Sequence, residues 1–325
     1  MVAVTGATGF VGRVVVQALR NEGFAVRALA RDAAKAYDAL PSAGDGTEII
    51  VGDVFSKDTR QRLMHGASAA AHLIGIRVER AGGVTFERLH VDATRAVVES
   101  AVAAGASRFV HMSALGTRPD APSAYHRTKF DAEQIVRDSG LAWTILRPSL
   151  ILGAGGEFME MAHGWVTGQA PPKRFLPYFT PTLPLDVDPQ SVSKPANSGV
   201  VQPMHVDDVA AAVVKCLKRD RTIGEVYPLG GDSPITWPDL LVAIRDTTPD
   251  ANSALKPRGV SAAFAIHVAR MARRLGLSNR LPFSEDDVLL ACEDNSCAID
   301  KAQADGVIGE PLLAGAIARS VAGAL

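Results

Sequence analysis

Met1-Val-Ala-Val-Thr-Gly-Ala-Thr-Gly-Phe-Val-Gly12 decides how this chain is read. A short β-branched run leads straight into Gly6, Gly9 and Gly12, and an amphipathic helical pattern follows at once through Val11, Val14, Val15 and Leu19. This order builds a dinucleotide-phosphate site. Gly6 permits a tight turn, Gly9 lets the backbone approach a pyrophosphate, and Gly12 lets helix and strand pack closely. The helix N-terminus then offers unpaired N–H groups and a positive dipole end to the anion. Glycine turns are common by themselves. The strand before and the helix after are what give this one meaning.

Outward from this turn, the first 150 residues alternate strand and helix at the pace of a doubly wound sheet. Strands are expected at Val2–Thr5, Ala25–Ala30, Glu48–Val51, Ala70–Ile74, Arg108–Ser113 and Ala142–Leu146. They read as nearly continuous apolar runs, as parallel strands buried on both faces do. Helices are expected at Asp92–Ala104, with Gly105 as its C-cap, and at Ser123–Asp138. The expected class is α/β, a doubly wound parallel Rossmann sheet with a smaller, mostly helical C-terminal domain on the substrate side.

The character changes after Pro148. Residues 171–203 hold eight of the 19 prolines, which predicts irregular backbone. Met204–Arg219 reads as a helix with Asp207 and Asp208 near its positive end, and Glu225–Leu229 as one more strand. The expected division is therefore 1–150 plus 204–231 for the nucleotide-binding domain, and 151–203 plus 232–325 for the substrate-side domain.

Composition narrows the classes. The 325 residues are 47% hydrophobic and 21% charged, ordinary for a globular protein. A formal net charge of −1 gives no global reason to bind nucleic acid. Cys216, Cys292 and Cys297 lack metal-ligand spacing and read as reduced thiols, so no metal is expected. No uncharged run reaches the ~18 residues of a membrane span. Residues 2–5 read as strand rather than as part of a cleavable signal. The expectation is a cytoplasmic protein.

Arg31 closes the second strand, where an acidic residue would hydrogen-bond the adenosine ribose 2′-OH. An arginine can hold a 2′-phosphate instead, so NADP(H) is preferred over NAD(H), with the neighbouring Asp32 and a merely solvated Arg31 as counterweights. Asp53, in Val51-Gly-Asp-Val54, sits where a side chain could reach the adenine, or it caps its own loop. The catalytic signal is Ser113 together with Tyr125-His-Arg-Thr-Lys129. Tyrosine and lysine four apart share a helix face. An ammonium beside a phenol favours the phenolate, which brings proton exchange nearer neutral pH. Ser113, at the C-terminal end of a strand, stands where open α/β sheets bind ligands.

These residues together resemble an extended or atypical short-chain dehydrogenase/reductase. Thr5-Gly-Ala-Thr-Gly-Phe-Val-Gly12 is similar to that superfamily's nucleotide motif, Ser113/Tyr125/Lys129 to its catalytic triad, and Arg147-Pro148-Ser149 to its segment after the sixth strand. Within it, Phe109–Gly116, Tyr125–Lys129 with Glu133, and Gln202–Val209 are similar to the group around the NAD(P)-binding accessory subunit of respiratory complex I. The resemblance covers residues 1–235 well and the remainder loosely. It implies hydride transfer on a carbonyl or alcohol, with Tyr125 as acid/base, Lys129 holding the nicotinamide ribose and Ser113 orienting the substrate. It implies cofactor contacts from Gly6, Thr8, Gly9, Phe10, Val11, Gly12, Arg31, Asp53, Val54, Leu73, Ile74, Gly75, Tyr125, Lys129 and Pro148. Two other roles stay open. One is a non-catalytic NADP(H)-binding redox sensor or accessory subunit of a respiratory or quinone-related assembly. The other is a nucleotide-sugar epimerase or dehydratase, which needs a second nucleotide site for which Lys173-Arg174 is the best basic candidate.

Phe175–Val201 is longer and richer in proline than the family pattern, and reads as a lid, a partner surface or a plain insertion. His72 and His111, on strands, are expected to be structural, and His205 to be satisfied by backbone at a helix start. In Ser261–Leu277 the residues Phe264, Val268, Met271 and Leu275 form one helical stripe, with Arg270, Arg273 and Arg274 nearby. Such a stripe more often packs into a core; otherwise it contacts an anionic membrane peripherally, and the small-molecule substrate would then be lipophilic.

Overall fold

The computed structural model describes residues 1–40, 46–181, 198–276, 281–310 and 312–323. The chain opens with β1 (Val2–Thr5), α1 (Phe10–Asn21), β2 (Val26–Ala30), α2 (Ala33–Ala39), β3 (Thr47–Val51), α3 (Lys57–Met64) and β4 (Ala69–His72). A π-helical turn (Glu87–Asp92) runs into α4 (Ala93–Ala103), followed by β5 (Arg108–Met112), α5 (Ala124–Arg137) and β6 (Ala142–Pro148). Next come β7 (Ile151–Leu152), α6 (Glu157–Val166), β8 (Leu176–Thr180), β9 (Val200–Val201), β10 (Met204–His205), α7 (Val206–Lys218) and β11 (Glu225–Leu229). The last stretch holds β12 (Ile235–Thr236), α8 (Trp237–Thr247), β13 (Pro257–Ser261), α9 (Ala262–Arg274), α10 (Glu285–Cys292), β14 (Asp294–Asn295), α11 (Asp300–Ala304) and α12 (Leu313–Ala322).

Two compact units result. The first comprises Met1–Pro148, Val206–Leu229 and Cys297–Pro311. Its seven strands form one parallel sheet in the order β11-β6-β5-β4-β1-β2-β3. The order reverses between β1 and β4, and open α/β sheets bind ligands at the carboxyl ends of strands beside such a reversal. Side chains alternate across each strand, so Ala3, Ala70, Phe109 and Ile145 share a sheet face. They form a core with Leu63 of α3, Val97 and Ala101 of α4 and Val136 of α5. One step further toward the strand ends, the same face carries Thr5, His72 and His111, a polar row beneath the site.

The second unit comprises Ser149–His205, Gly230–Ser296 and Leu312–Leu325. Among its described residues helices predominate, with three small sheets β12-β9-β14, β10-β7 and β13-β8. Its core gathers Leu152, Met159, Leu176, Leu240, Ile244 and Ile317.

The structure departs from the sequence reading in several places. The helix expected at Asp92 is preceded by a full π-turn from Glu87, whose buried residues are His90 and Val91, with the buried Phe86 at its N-cap. β4 ends at His72, two residues short, where the chain leaves the sheet toward Leu73–Gly75. Met204 and His205 form a strand, and α7 starts at Val206. The proline-rich stretch contains the strand β8, paired in parallel with β13. Most of Phe175–Val201, residues 182–197, lies outside the described residues. Cys297–Pro311 belongs to the first unit, where Tyr227 of β11 donates to Asp305 over 2.8 Å.

Candidate active site

The turn after β1 has the geometry its glycines suggest. Gly6 has φ +71°, and a Cβ there would lie 2.8 Å from the Leu73 carbonyl carbon. At Gly12 a Cβ would fall 2.0 Å from the Gly6 oxygen, so only glycine lets α1 start this close to the strand end. No side chain caps α1 and its first turn carries no acid, leaving the positive helix end open to an anion. Phe10 and Val11 begin the helix, after Thr8 and the exposed Gly9 in the turn. These residues fit a dinucleotide pyrophosphate.

At the next strands the candidates separate into two kinds. Arg31 is exposed just past β2, while Asp32 turns away to cap α2 by accepting from the Lys35 N–H. Asp53 accepts from the Phe55 N–H over 2.9 Å, closing its own loop, and Val54 is buried behind it. Both aspartates thus do local capping work.

Beyond β4, Leu73 donates its N–H to the Thr5 carbonyl over 3.2 Å, tying the loop Leu73–Ile74–Gly75 to the glycine turn. Gly75 abuts Lys129: a Cβ there would come 3.0 Å from Nζ. Pro148 ends β6, its carbonyl accepting from the Leu115 N–H.

Ser123 caps α5 by accepting from the His126 N–H, and the helix then presents Tyr125, Lys129 and Glu133 one turn apart on one face. The Lys129 ammonium is buried and donates to the Met112 carbonyl over 3.0 Å. Burial pushes its pKa down to about 8, with Glu133 pulling back upward. Tyr125 is partly buried among rings, with Phe86 and His90 edge-on at centroid separations of 5.9 Å and 5.4 Å, and His126 tilted at 5.4 Å. This surrounding pushes the phenol up to about 12, and the positive charge of Arg77 opposes the shift.

Ser113 behaves differently from the expectation. Its hydroxyl donates to Glu133 Oε1 over 2.6 Å, and Glu133 is wholly buried. Arg147 grips the same carboxylate through Nε and Nη2 at 2.7 Å and 2.6 Å, and Arg137 approaches at 3.5 Å. The proton expected to meet a substrate oxygen is given to a carboxylate instead. Together these contacts clamp the ends of β5 and β6 onto α5.

The sequence reading passed over His90. Its Nδ1 lies 2.9 Å from the Thr128 hydroxyl, and its Nε2 accepts from the Ile76 N–H at 3.2 Å, one assignment of the ring proton. It thereby links the β4 loop to the turn of α5 that carries Tyr125. Burial, reinforced by the Lys129 charge, holds His72 at about 3 and His90 at about 2, so both rings stay neutral. His72 pairs with the Thr5 and Thr94 hydroxyls at 2.7 Å and 3.0 Å and stacks on His111. A helical signal there was visible only as the polar–aromatic pair Phe86 and His90, four apart.

Among the described residues, no group of three or more His, Cys, Asp or Glu side chains is placed to hold a metal, and no helix is long and apolar enough to cross a membrane.

Comparison with known proteins gives the family. A family model described as NAD(P)H-binding matches residues 6–157. The chain is 30% identical over 237 residues to a (4-alkanoyl-5-oxo-2,5-dihydrofuran-3-yl)methyl phosphate reductase of Streptomyces griseus, covering 73% of this chain and 70% of that one. It is 25% identical over 251 residues to the mitochondrial NADH dehydrogenase [ubiquinone] 1 alpha subcomplex subunit 9 of Dictyostelium discoideum, covering 75% of this chain. The match spans only 63% of that relative's length. The NADPH-dependent quinone oxidoreductase QOR2 of Escherichia coli, solved with NADPH, shares the fold at a TM-score of 0.71 and 19% identity, over 99% of both chains. The chain belongs to the NAD(P)-binding Rossmann family of extended, atypical short-chain dehydrogenases/reductases, in the group similar to the complex I accessory subunit.

Proposed function

We propose that this protein is an NADP(H)-dependent oxidoreductase acting on a carbonyl/alcohol substrate, with Tyr125 as the acid/base and best suited to donate a proton to a carbonyl. The observation that carries the reading is the face of α5, where a buried Lys129 and the Tyr125 phenol stand one turn apart beside the loop after β4. Bound NADPH would supply the hydride. Gly6, Thr8, Gly9, Phe10, Val11 and Gly12 would hold its pyrophosphate, Arg31 its 2′-phosphate, and Asp53 and Val54 the adenine side. Leu73, Ile74, Gly75 and Pro148 would line the nicotinamide end, and Lys129 would hold its ribose.

Tyr125 is suited to one direction of the chemistry. A phenol pushed up to about 12 stays protonated at neutral pH, so it can deliver a proton to a carbonyl oxygen as hydride arrives at carbon. Removing a proton from an alcohol would first require the phenol to ionise. Ser113 acts through Glu133, holding the end of β5 in position. NADPH oxidation against a panel of quinones and long-chain ketones tests the reading. Wild type should turn over at least one class, and Tyr125→Phe should lose that turnover while binding NADPH nearly as well. Unchanged turnover in this variant would sink the mechanism.

A second reading is a non-catalytic NADP(H)-binding redox sensor or accessory subunit. The commitment of Ser113 to Glu133 favours it, since a usual substrate donor is then missing. It expects Tyr125 to be dispensable and NADPH chiefly to stabilise the fold. An epimerase or dehydratase would need a second nucleotide at Lys173-Arg174, both exposed, and binding of a UDP-sugar would detect it.

A further inference from the structure

Helix α9 turns its large side chains outward. Its buried positions are Ala262, Ala265 and Ala269, and the first two rest on a cluster with Val288, Phe179 and Phe283. Phe264 is 64% exposed, Met271 42%, and Leu275 at the C-cap 65%, with Val268 half-buried between them. Spacings of four, three and four place these residues on a single ridge. The core packing expected for this stripe is therefore not what is found. The helix is anchored on its alanines and presents its apolar bulk to the surroundings.

Within the segment that carries the ridge, the charge has one sign. From residue 251 to 276 there is no Asp or Glu, whereas Lys256, Arg258, Arg270, Arg273 and Arg274 all fall there. Arg270, Arg273, Arg274 and His267 are exposed on the helix itself. Glu285 of α10 binds Arg270 at 2.6 Å and lies 3.7 Å from Arg273, which steadies the guanidinium groups without covering the ridge. Arg274 and His267 fall close to the ridge line, at the boundary where long cationic side chains reach headgroup phosphates while an apolar face sinks below them.

We propose that α9 is an interfacial helix that seats Phe264, Met271 and Leu275 in an anionic lipid surface, with the flanking arginines on headgroup phosphates. A single ridge has no concave partner surface of its own, and a bilayer requires none. A second copy of this chain would bring the same acid-free, basic segment against itself. The proposal goes beyond the reductase reading and does not rest on it.

The test needs no substrate. The full chain is floated with vesicles of phosphatidylcholine alone or mixed with phosphatidylglycerol, at low and high salt. Flotation is expected with the anionic vesicles only, weakening as salt rises. Phe264→Ser/Met271→Ser should lower the bound fraction about tenfold, and Arg274→Glu should weaken it in the same assay. Hydrogen exchange on the wild-type chain should show residues 262–275 protected by anionic vesicles, an outcome independent of how any variant folds. Three results would overturn the proposal: no flotation with anionic vesicles, equal flotation of the double variant, or equal binding to neutral vesicles. Light scattering that shows a dimer lost in the double variant, without vesicle binding, would assign the ridge to a second copy instead.

Discussion

The Ser113 hydroxyl donates to the Glu133 carboxylate over 2.6 Å, and Arg147 holds both oxygens of that carboxylate through two hydrogen bonds. This hydrogen bond ties the residue after β5 to α5. The consequences are measurable in both stability and turnover.

Replacing Glu133 with Gln removes the charge that Arg147 needs while leaving the guanidinium partly buried. Breaking such a pair from one side costs about 3–5 kcal/mol when burial is complete, and somewhat less here because Arg147 retains contact with solvent. Urea unfolding should show a loss of about 2–4 kcal/mol. Ser113→Ala removes one hydrogen bond to a charged group and should cost about 1.5–3 kcal/mol, with turnover per folded molecule little changed. A large fall in kcat with stability intact would return Ser113 to the substrate.

Much of this site can be read in the sequence because it is local. The glycine turn, the apolar strands and the i, i+4 spacing of Tyr125 and Lys129 each lie within a dozen residues, where periodicity and turn chemistry have meaning. The seven-stranded parallel sheet follows from them. The partner of Ser113 lies 20 residues on, across a strand end and a helix, and nothing near Ser113 indicates it. The π-turn before α4 escaped for a similar reason: Phe86 and His90 are held by Tyr125, Thr128 and Ile76, which are tertiary contacts. For α9 the periodic stripe was visible, but its direction was not. Three alanines proved the better packing surface.

Arg31→Asp should shift cofactor preference. A charge-assisted contact to a 2′-phosphate is worth about 1.5–3 kcal/mol, so NADPH affinity should fall roughly ten- to a hundredfold relative to NADH. Isothermal titration with both cofactors measures the ratio. An unmoved ratio makes Arg31 a bystander.

Lys129 also leaves a signature in stability. Its pKa is about 8 in the fold, against the ordinary lysine value of 10.5. Between these values the unfolded chain binds the extra proton, so this group makes stability rise with pH across that window; below about 8 both states are charged and its contribution is flat. Lys129→Met abolishes the rise. Subtracting its stability curve from that of wild type at pH 7 and pH 10 should leave a difference of about 3 kcal/mol or less, wild type gaining. Equal pH dependence would mean that Lys129 keeps its ordinary pKa.

His90→Phe keeps the ring against Tyr125 and loses both polar links. It should lower kcat about tenfold or more while KM for NADPH changes little, and His90→Asn should recover part of the loss if one link is restored. Equal losses in both variants, tracking loss of Tm, would reduce His90 to a packing residue.

The most direct test of the account is the pKa of the Tyr125 phenol, taken as an ultraviolet tyrosinate titration with the Tyr125→Phe curve subtracted. Without cofactor it should lie near 12. With NADP⁺ bound, the added positive charge beside Lys129 should bring it below the unperturbed ~10. A phenol already ionised at neutral pH without cofactor would contradict the proton-donor role of Tyr125, and one left near 12 by NADP⁺ would put the nicotinamide away from it and leave the cofactor-binding accessory reading in its place.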